Sequence, residues 1–202
     1  MNILITGGAG FIGSHIAERF HATDSVTVLD NFRSGFRHNL DAFRVRLVEG
    51  SVTDRGLVSD LLRGVDYVFH LAALVSVPES MEKPGETVAI NVQGTLNVLE
   101  AARAHGVKKV VISSSAAIYG NNPTVPKVET MLPEPRSPYA ITKLSDEYYC
   151  TLFTREKRLA TACLRYFNVF GPRQDPRSQY AAAIPIFVSK ALRHEPITIF
   201  GD

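Results

Sequence analysis

Cysteine is scarce in this chain. Its 202 residues include two, Cys150 and Cys163, with no CxxC pair and no clustered histidines around them. They read as reduced core thiols, which excludes a disulfide scaffold. Charge of one sign is also missing: 22 Lys and Arg stand against 20 Asp and Glu, a formal net charge of +2. A reader of phosphate backbones normally carries a much larger basic excess, so nucleic acid is not an expected partner. The six histidines, His15, His21, His38, His70, His105 and His194, show no ligand spacing such as HExxH, and no metal site is expected. No apolar run approaches the roughly 18 residues a membrane span needs. The apolar start Met1–Thr6 breaks into glycine rather than a cleavage site, so neither a span nor a signal peptide is expected, and the cytoplasm is the expected compartment. There is no internal repeat and no low-complexity tract.

What the chain does have is an ordinary globular composition, 45% hydrophobic. At this length about 70% of the unfolded surface can be buried, enough for one large core without staples. Short apolar runs at 3–6, 25–29, 45–48, 67–71, 109–113, 161–165 and 197–200 alternate with helical periods near 12–21, 54–62, 85–105, 138–157 and 181–193. Continuous apolar strands alternating with helices predict a doubly wound α/β fold with a parallel sheet buried on both faces. Two proline-bearing segments, 72–84 and 117–138, read as long loops at strand carboxyl ends, where such sheets bind ligands. The last apolar run stops at Gly201-Asp202, so a fragment is expected, with 1–202 forming the nucleotide domain and a substrate region starting near 172.

The first strand runs into Gly7-Gly8-Ala9-Gly10-Phe11-Ile12-Gly13 and then directly into a helix. Glycines at 7, 10 and 13 permit a tight turn, close approach of the backbone to a pyrophosphate and close helix–strand packing; the helix N-terminus then faces the anion. Strand two ends at Asp30, twenty positions after Gly10, where a carboxylate accepts from ribose hydroxyls. A carboxylate there repels a 2′-phosphate, which favours NAD over NADP, although Arg33 and Arg37 lie just beyond it.

Further along, strand five leads to Ser113-Ser114-Ser115, and a helix starting near Pro138 carries Tyr139 and Lys143. At i and i+4 these two share a helical face. A free phenol, with a pKa near 10, is only about one part in a thousand ionised at pH 7; a neighbouring cation lowers such a pKa by roughly 1–3 units and makes tyrosine a usable base.

These motifs, together with Leu29-Asp-Asn31, His70-Leu-Ala-Ala73, Asn91-Val-Gln-Gly-Thr95, Tyr119-Gly120 and Arg165-Tyr-Phe-Asn-Val-Phe-Gly-Pro172, resemble the extended short-chain dehydrogenase/reductase family. Within it the UDP-hexose 4-epimerases are most similar, and the likeness covers the whole chain. The resemblance implies a Rossmann domain, NAD as cofactor and a UDP-sugar as substrate. It also implies a homodimer. Tyr139 would take the 4-hydroxyl proton as hydride leaves C4 for NAD, and hydride return to the other face would invert the centre. Ser115 would hydrogen-bond the reacting oxygen, and Lys143 would bind the nicotinamide ribose. The cofactor would further meet Gly7, Gly10, Phe11, Ile12, Gly13, Asp30, Asn31, Ser34, Gly35, Ser51, Val52, Leu71, Ala72, Ala73, Ser113 and Phe167. Ser76, Val77 and Asn168 would meet the substrate. His70 and Asn91 are read as structural.

Ser51 stands where the family commonly has Asp, a weaker acceptor for adenine. Ala116 and Ala117 carry no titratable group where dehydratases and decarboxylases need an acid beside the strand-five hydroxyl, which disfavours elimination. A UDP-N-acetylglucosamine 4-epimerase, another sugar-nucleotide epimerase or dehydratase, and a non-catalytic NAD-binding regulator stay as alternatives.

Overall fold

The computed structural model describes residues 1–175, 183–197 and 199. The chain divides into two compact units, Met1–Tyr166 and Phe167–Asp202. In the first, strands β1 (Asn2–Thr6), β2 (Ser25–Asp30), β3 (Arg46–Glu49), β4 (Tyr67–His70), β5 (Lys109–Ser115) and β6 (Ala160–Tyr166) form one parallel sheet in the order β3-β2-β1-β4-β5-β6. The doubly wound reading holds. Because side chains alternate across a strand, Leu4 enters one core with Val68, Val110 and Ile112, while Ile3 and Ile5 enter the other with Val26 and Val28. The strand order reverses between β1 and β4, the point at whose carboxyl ends such sheets bind ligands.

The helices of this unit are α1 (Phe11–Phe20), α2 (Arg55–Leu61), α3 (Val77–Glu82), α4 (Pro84–Val88), α5 (Gly94–Ala104) and α6 (Pro138–Lys157). Three local expectations need correction. The expected loop 72–84 contains α3: Ser76 Oγ accepts from Glu79 N at 2.9 Å, and Pro78 sits in the first turn, where a missing N–H costs nothing. The expected helix 85–105 is interrupted by a wider π-turn over Ala89–Gln93, with Asn91 turned inward and fully buried. Strand β5 runs two residues past the expected 113, because Ser114 and Ser115 pair with Arg165 and Tyr166 of β6.

Helix α6 begins where expected. Ser137 Oγ accepts from Ala140 N at 3.1 Å, Pro138 opens the first turn, and Arg158 closes the helix in the left-handed region at φ 56°. Its flank is held by Glu147, which takes two hydrogen bonds from Arg165 of β6 (Nε 2.9 Å, Nη2 2.8 Å) and one from Ser114 of β5. Cys150 is buried, Cys163 half-buried, and neither forms a disulfide.

In the second unit the described helix is α7 (Ala183–Leu192). Residues 181–182 of the expected helix 181–193 lie outside the described residues, as do Thr198 and Phe200 of the expected strand 197–200; Ile197 and Ile199 are not in a strand. Among the described residues no helix is long and apolar enough to cross a membrane.

Candidate active site

The turn after β1 is built by its own backbone. Gly7 N donates to Leu29 O at 2.8 Å, Gly10 N to Gly7 O at 3.2 Å, and Ser14 N to Gly10 O at 3.0 Å. Gly7 has φ 69°, and a side chain there would stand 2.7 Å from Ala72 N, so the loops after β1 and β4 touch backbone to backbone. Gly10 caps α1 without a side-chain acceptor, and the first turn of α1 has no acidic residue. The amides of Phe11, Ile12 and Gly13 are therefore left for an anion. Asp30 is 7% exposed; its Oδ2 accepts from Ala9 N at 2.9 Å and its Oδ1 from Phe32 N at 2.8 Å. Two bonds leave lone pairs over for ribose hydroxyls.

The loop after β2 closes over Ala9: Phe36 N and Asn39 Nδ2 donate to Ala9 O, and a side chain on Gly35 would strike Ala9 at 2.8 Å. Asn31 and Ser34 are exposed on it. Arg33 reaches across to Glu79 of α3 at 2.6 Å and to Glu86 of α4, and Arg37 pairs with Glu49. Arg33 and Arg37, the two cations just beyond Asp30, thus each face carboxylates. Ser51 is half-buried and hydrogen-bonded to Thr53, whereas the Val52 side chain is core, packed under Gly94.

Below the crevice lies a buried polar chain. His70 is 2% exposed and joins Thr6 Oγ1 at 2.6 Å to Thr95 Oγ1 at 3.0 Å; Thr6 Oγ1 also accepts from Ala72 N. Burial, with the Lys143 charge adding to it, holds the imidazole down to about 3, so the ring is neutral at physiological pH. Asn91 holds the β4–α3 loop by both ends of its amide, Oδ1 accepting from Leu74 N at 2.7 Å and Nδ2 donating to Leu74 O at 3.1 Å. Leu71, Ala72 and Ala73 are half-buried along that loop. His70 thus ties β1 to α5, and Asn91 ties the π-turn to the β4–α3 loop rather than to the sheet.

His70→Gln is expected to lower stability at pH 7 by about 1–3 kcal/mol, through loosened bonds to Thr6 and Thr95. Between pH 6.5 and about 3 only the unfolded wild-type chain takes up a proton at His70, so wild-type stability falls across that window. The gap between wild type and variant should shrink as pH is lowered; urea midpoints at several pH values check it.

On α6, Tyr139 is half-buried at the first turn, and its backbone N donates to Ser80 Oγ at 3.2 Å. One turn on, the Lys143 side chain is 4% exposed, and the nearest carboxylate oxygen, Asp146 Oδ2, is 3.8 Å away. At the end of β5 Ser115 Oγ accepts from Ala117 N at 3.1 Å and keeps its own proton to donate; Ser113 Oγ lies 3.4 Å from His70 O. Ser76 is buried as the cap of α3, and Val77 is exposed beside it. Phe167 and Asn168 open the second unit directly after β6. Thr95 and Arg165 belong to the motifs Asn91–Thr95 and Arg165–Pro172 but carry no role in the sequence analysis, and Thr6, Asp146 and Glu147 have no signal there beyond their places on a strand and a helix.

A parallel sheet with a glycine turn at its reversal point, a carboxylate at the end of β2, and a tyrosine one turn from a buried lysine is the architecture of a dinucleotide-binding domain. The chain belongs to the NAD dependent epimerase/dehydratase family, whose profile matches residues 3–202. It is 41% identical over 210 residues to a UDP-glucose 4-epimerase of Corynebacterium glutamicum, covering 100% of this chain and 63% of that one. Among solved structures it resembles the UDP-glucose 4-epimerase of Thermotoga maritima with UDP-glucose (44% identity, TM-score 0.94, 100% and 66% coverage). It also resembles the UDP-N-acetylglucosamine 4-epimerase of Methanobrevibacter ruminantium with UDP-N-acetylmuramic acid (43%, TM-score 0.95, 100% and 66%). The chain spans 63–66% of the length of the first three curated relatives it matches. The family's cofactor is NAD, and the chemistry of the residues present fits it: α1 begins without an acidic residue in its first turn, and the Asp30 carboxylate stands at the end of β2.

Proposed function

We propose that the whole protein is a UDP-hexose 4-epimerase that interconverts UDP-glucose and UDP-galactose. The observation that carries this reading is the buried Lys143 ammonium one helical turn from Tyr139, on a helix pinned to the sheet beside Ser115. NAD, when bound, supplies the hydride acceptor at C4. Tyr139 takes the proton of the sugar 4-hydroxyl onto Oη and returns it at the end of the cycle. Lys143 stabilises the phenolate and donates to the nicotinamide ribose, and Ser115 donates to the reacting sugar oxygen. The bare turn Gly7–Gly13 with the amides of Phe11 and Ile12 holds the pyrophosphate; Asp30 and Asn31 hold the adenosine ribose, with Ser34 and Gly35 beside them. Ser51 and the Val52 backbone face adenine, Leu71, Ala72, Ala73 and Ser113 line the cofactor, and Phe167 meets the nicotinamide. Ser76, Val77 and Asn168 contact the sugar nucleotide, and the substrate region begins near residue 172.

Engagement of Arg33 and Arg37 by Glu79, Glu86 and Glu49 supports NAD over its 2′-phosphorylated form. Ala116 and Ala117, in the short 3₁₀ turn after Ser115, supply no acid for elimination, which supports epimerisation over dehydration. We place the protein in the cytoplasm as a homodimer; the unpaired cysteines support the first reading and the resemblance the second.

The test is incubation of the full-length protein with UDP-galactose and with UDP-N-acetylgalactosamine. Formation of UDP-glucose supports the reading, and no conversion of either sugar leaves an NAD-binding regulator. The 43% identity to the Methanobrevibacter enzyme favours the N-acetylated pair as a second reading. A kcat/KM ratio above about 10² for that pair, roughly 2.7 kcal/mol of differential transition-state binding, would establish it instead.

A further inference from the structure

Helix α6 carries a carboxylate that the scheme above leaves without a role. Asp146 is fully buried, and neither of its oxygens has a hydrogen-bond partner among the described residues. Its nearest cation is the Lys143 ammonium, 3.8 Å from Oδ2, too long for a hydrogen bond but well within the range of charge in a dry interior. An ionised carboxylate in such a place is costly unless a specific charge answers it.

The neighbours leave only one such charge. On α5 Thr95 faces the carboxylate but is neutral. On β4 His70 is held neutral by burial. On α6 itself Glu147 is answered by Arg165 of β6 and Ser114 of β5, and the Cys150 thiol is pushed up by its contact with Cys163 and by burial. The only charged residue of β5, Lys109, lies exposed at the strand's far end. On the short turn after β5 Tyr119 accepts from Arg165. Of the residues of α3 and α4 that carry charge, Glu79 and Glu86 are taken up by Arg33, Glu82 is exposed, and Lys83 lies beside them on the surface. Lys143 and Asp146 are therefore each other's partner.

We propose that Asp146 is a positioning residue of the Tyr139–Lys143 pair: ionised, it draws and partly neutralises the Lys143 ammonium, and on protonation it releases that charge to act on the Tyr139 phenol. The inference rests on the Tyr139–Lys143 reading above. Burial pushes the Asp146 carboxyl up to about 6, with Lys143 opposing the shift, so the change falls in mildly acidic solution. Above that pH the negative charge damps the field of the ammonium at the phenol. Below it the full positive charge makes the phenol more acidic, which keeps the base usable as protons become abundant.

The measurement is the phenol pKa of Tyr139 in the full-length protein without substrate, taken as the ultraviolet titration difference between each protein and its Tyr139→Phe counterpart. Asp146→Asn mimics the protonated state permanently, and the phenol pKa is expected to fall by about one unit. The acid limb of the kcat/KM profile should move by the same amount in the same direction. An unchanged or raised phenol pKa overturns the proposal. Lys143→Met gives a second reading that does not require the Asp146 variant to fold. There the ¹³C carboxyl resonance of Asp146 should titrate at higher pH than in wild type, and an unmoved titration means the two groups are not coupled. Because the phenol titration needs no substrate, a protein that turns over no UDP-sugar defeats the functional reading while leaving this coupling open to direct test.

Discussion

Replacing Tyr139 by phenylalanine is expected to lower the turnover of the full-length protein by about 10²–10⁴-fold, the usual consequence of losing a general base. The fold should be unaffected. Among the described residues the phenol oxygen makes no hydrogen bond, and the backbone N that joins Tyr139 to Ser80 is retained in the variant. The Ser137 cap and the Glu147–Arg165 pair that hold α6 are also untouched. Steady-state kcat with a thermal melt of both proteins checks this. A variant keeping more than about a tenth of wild-type turnover would assign the proton to another group.

Gly13→Ala should be the most damaging change on the cofactor side. A Cβ there lies 2.3 Å from Gly7 O and 2.6 Å from Gly8 Cα, and both are backbone atoms of the turn. Neither can move without opening the hydrogen bonds Gly7 N to Leu29 O and Gly10 N to Gly7 O. Overpacking of this kind costs about 1–3 kcal/mol, and displacement of the turn removes the geometry a pyrophosphate needs. NAD affinity should fall by more than about 10²-fold, a loss of roughly 2.7 kcal/mol in binding. Gly85→Ala is the control, because a side chain there meets nothing within 4 Å. Calorimetric titration with NAD and a thermal melt distinguish the two; wild-type affinity in Gly13→Ala would mean that the turn is not the pyrophosphate site.

The amino-acid sequence by itself determined what depends on neighbours along the chain. Strand and helix periodicity yields the doubly wound parallel sheet, because one face of each strand needs a core on either side. The spacing of Gly7, Gly10 and Gly13 against Asp30, and of Tyr139 against Lys143, marks out the two halves of the candidate site, since a turn and one helical face are local objects. What only the tertiary structure decided depends on residues far apart in the chain. The prolines read as breakers in 72–84 open helices α3 and α4, and Asn91 is buried because it holds Leu74 across the β4–α3 loop. Arg33 meets Glu79 and Glu86 at separations of 46 and 53 residues, which takes from it the role of phosphate counter-ion. Asp146 looks like any polar residue on an amphipathic helix; it becomes the counter-charge of Lys143 because α5 and the sheet close over it and exclude the water that would otherwise solvate it. Local spacing brings reactive groups together, whereas burial, which sets their charge states, is a property of the packed core.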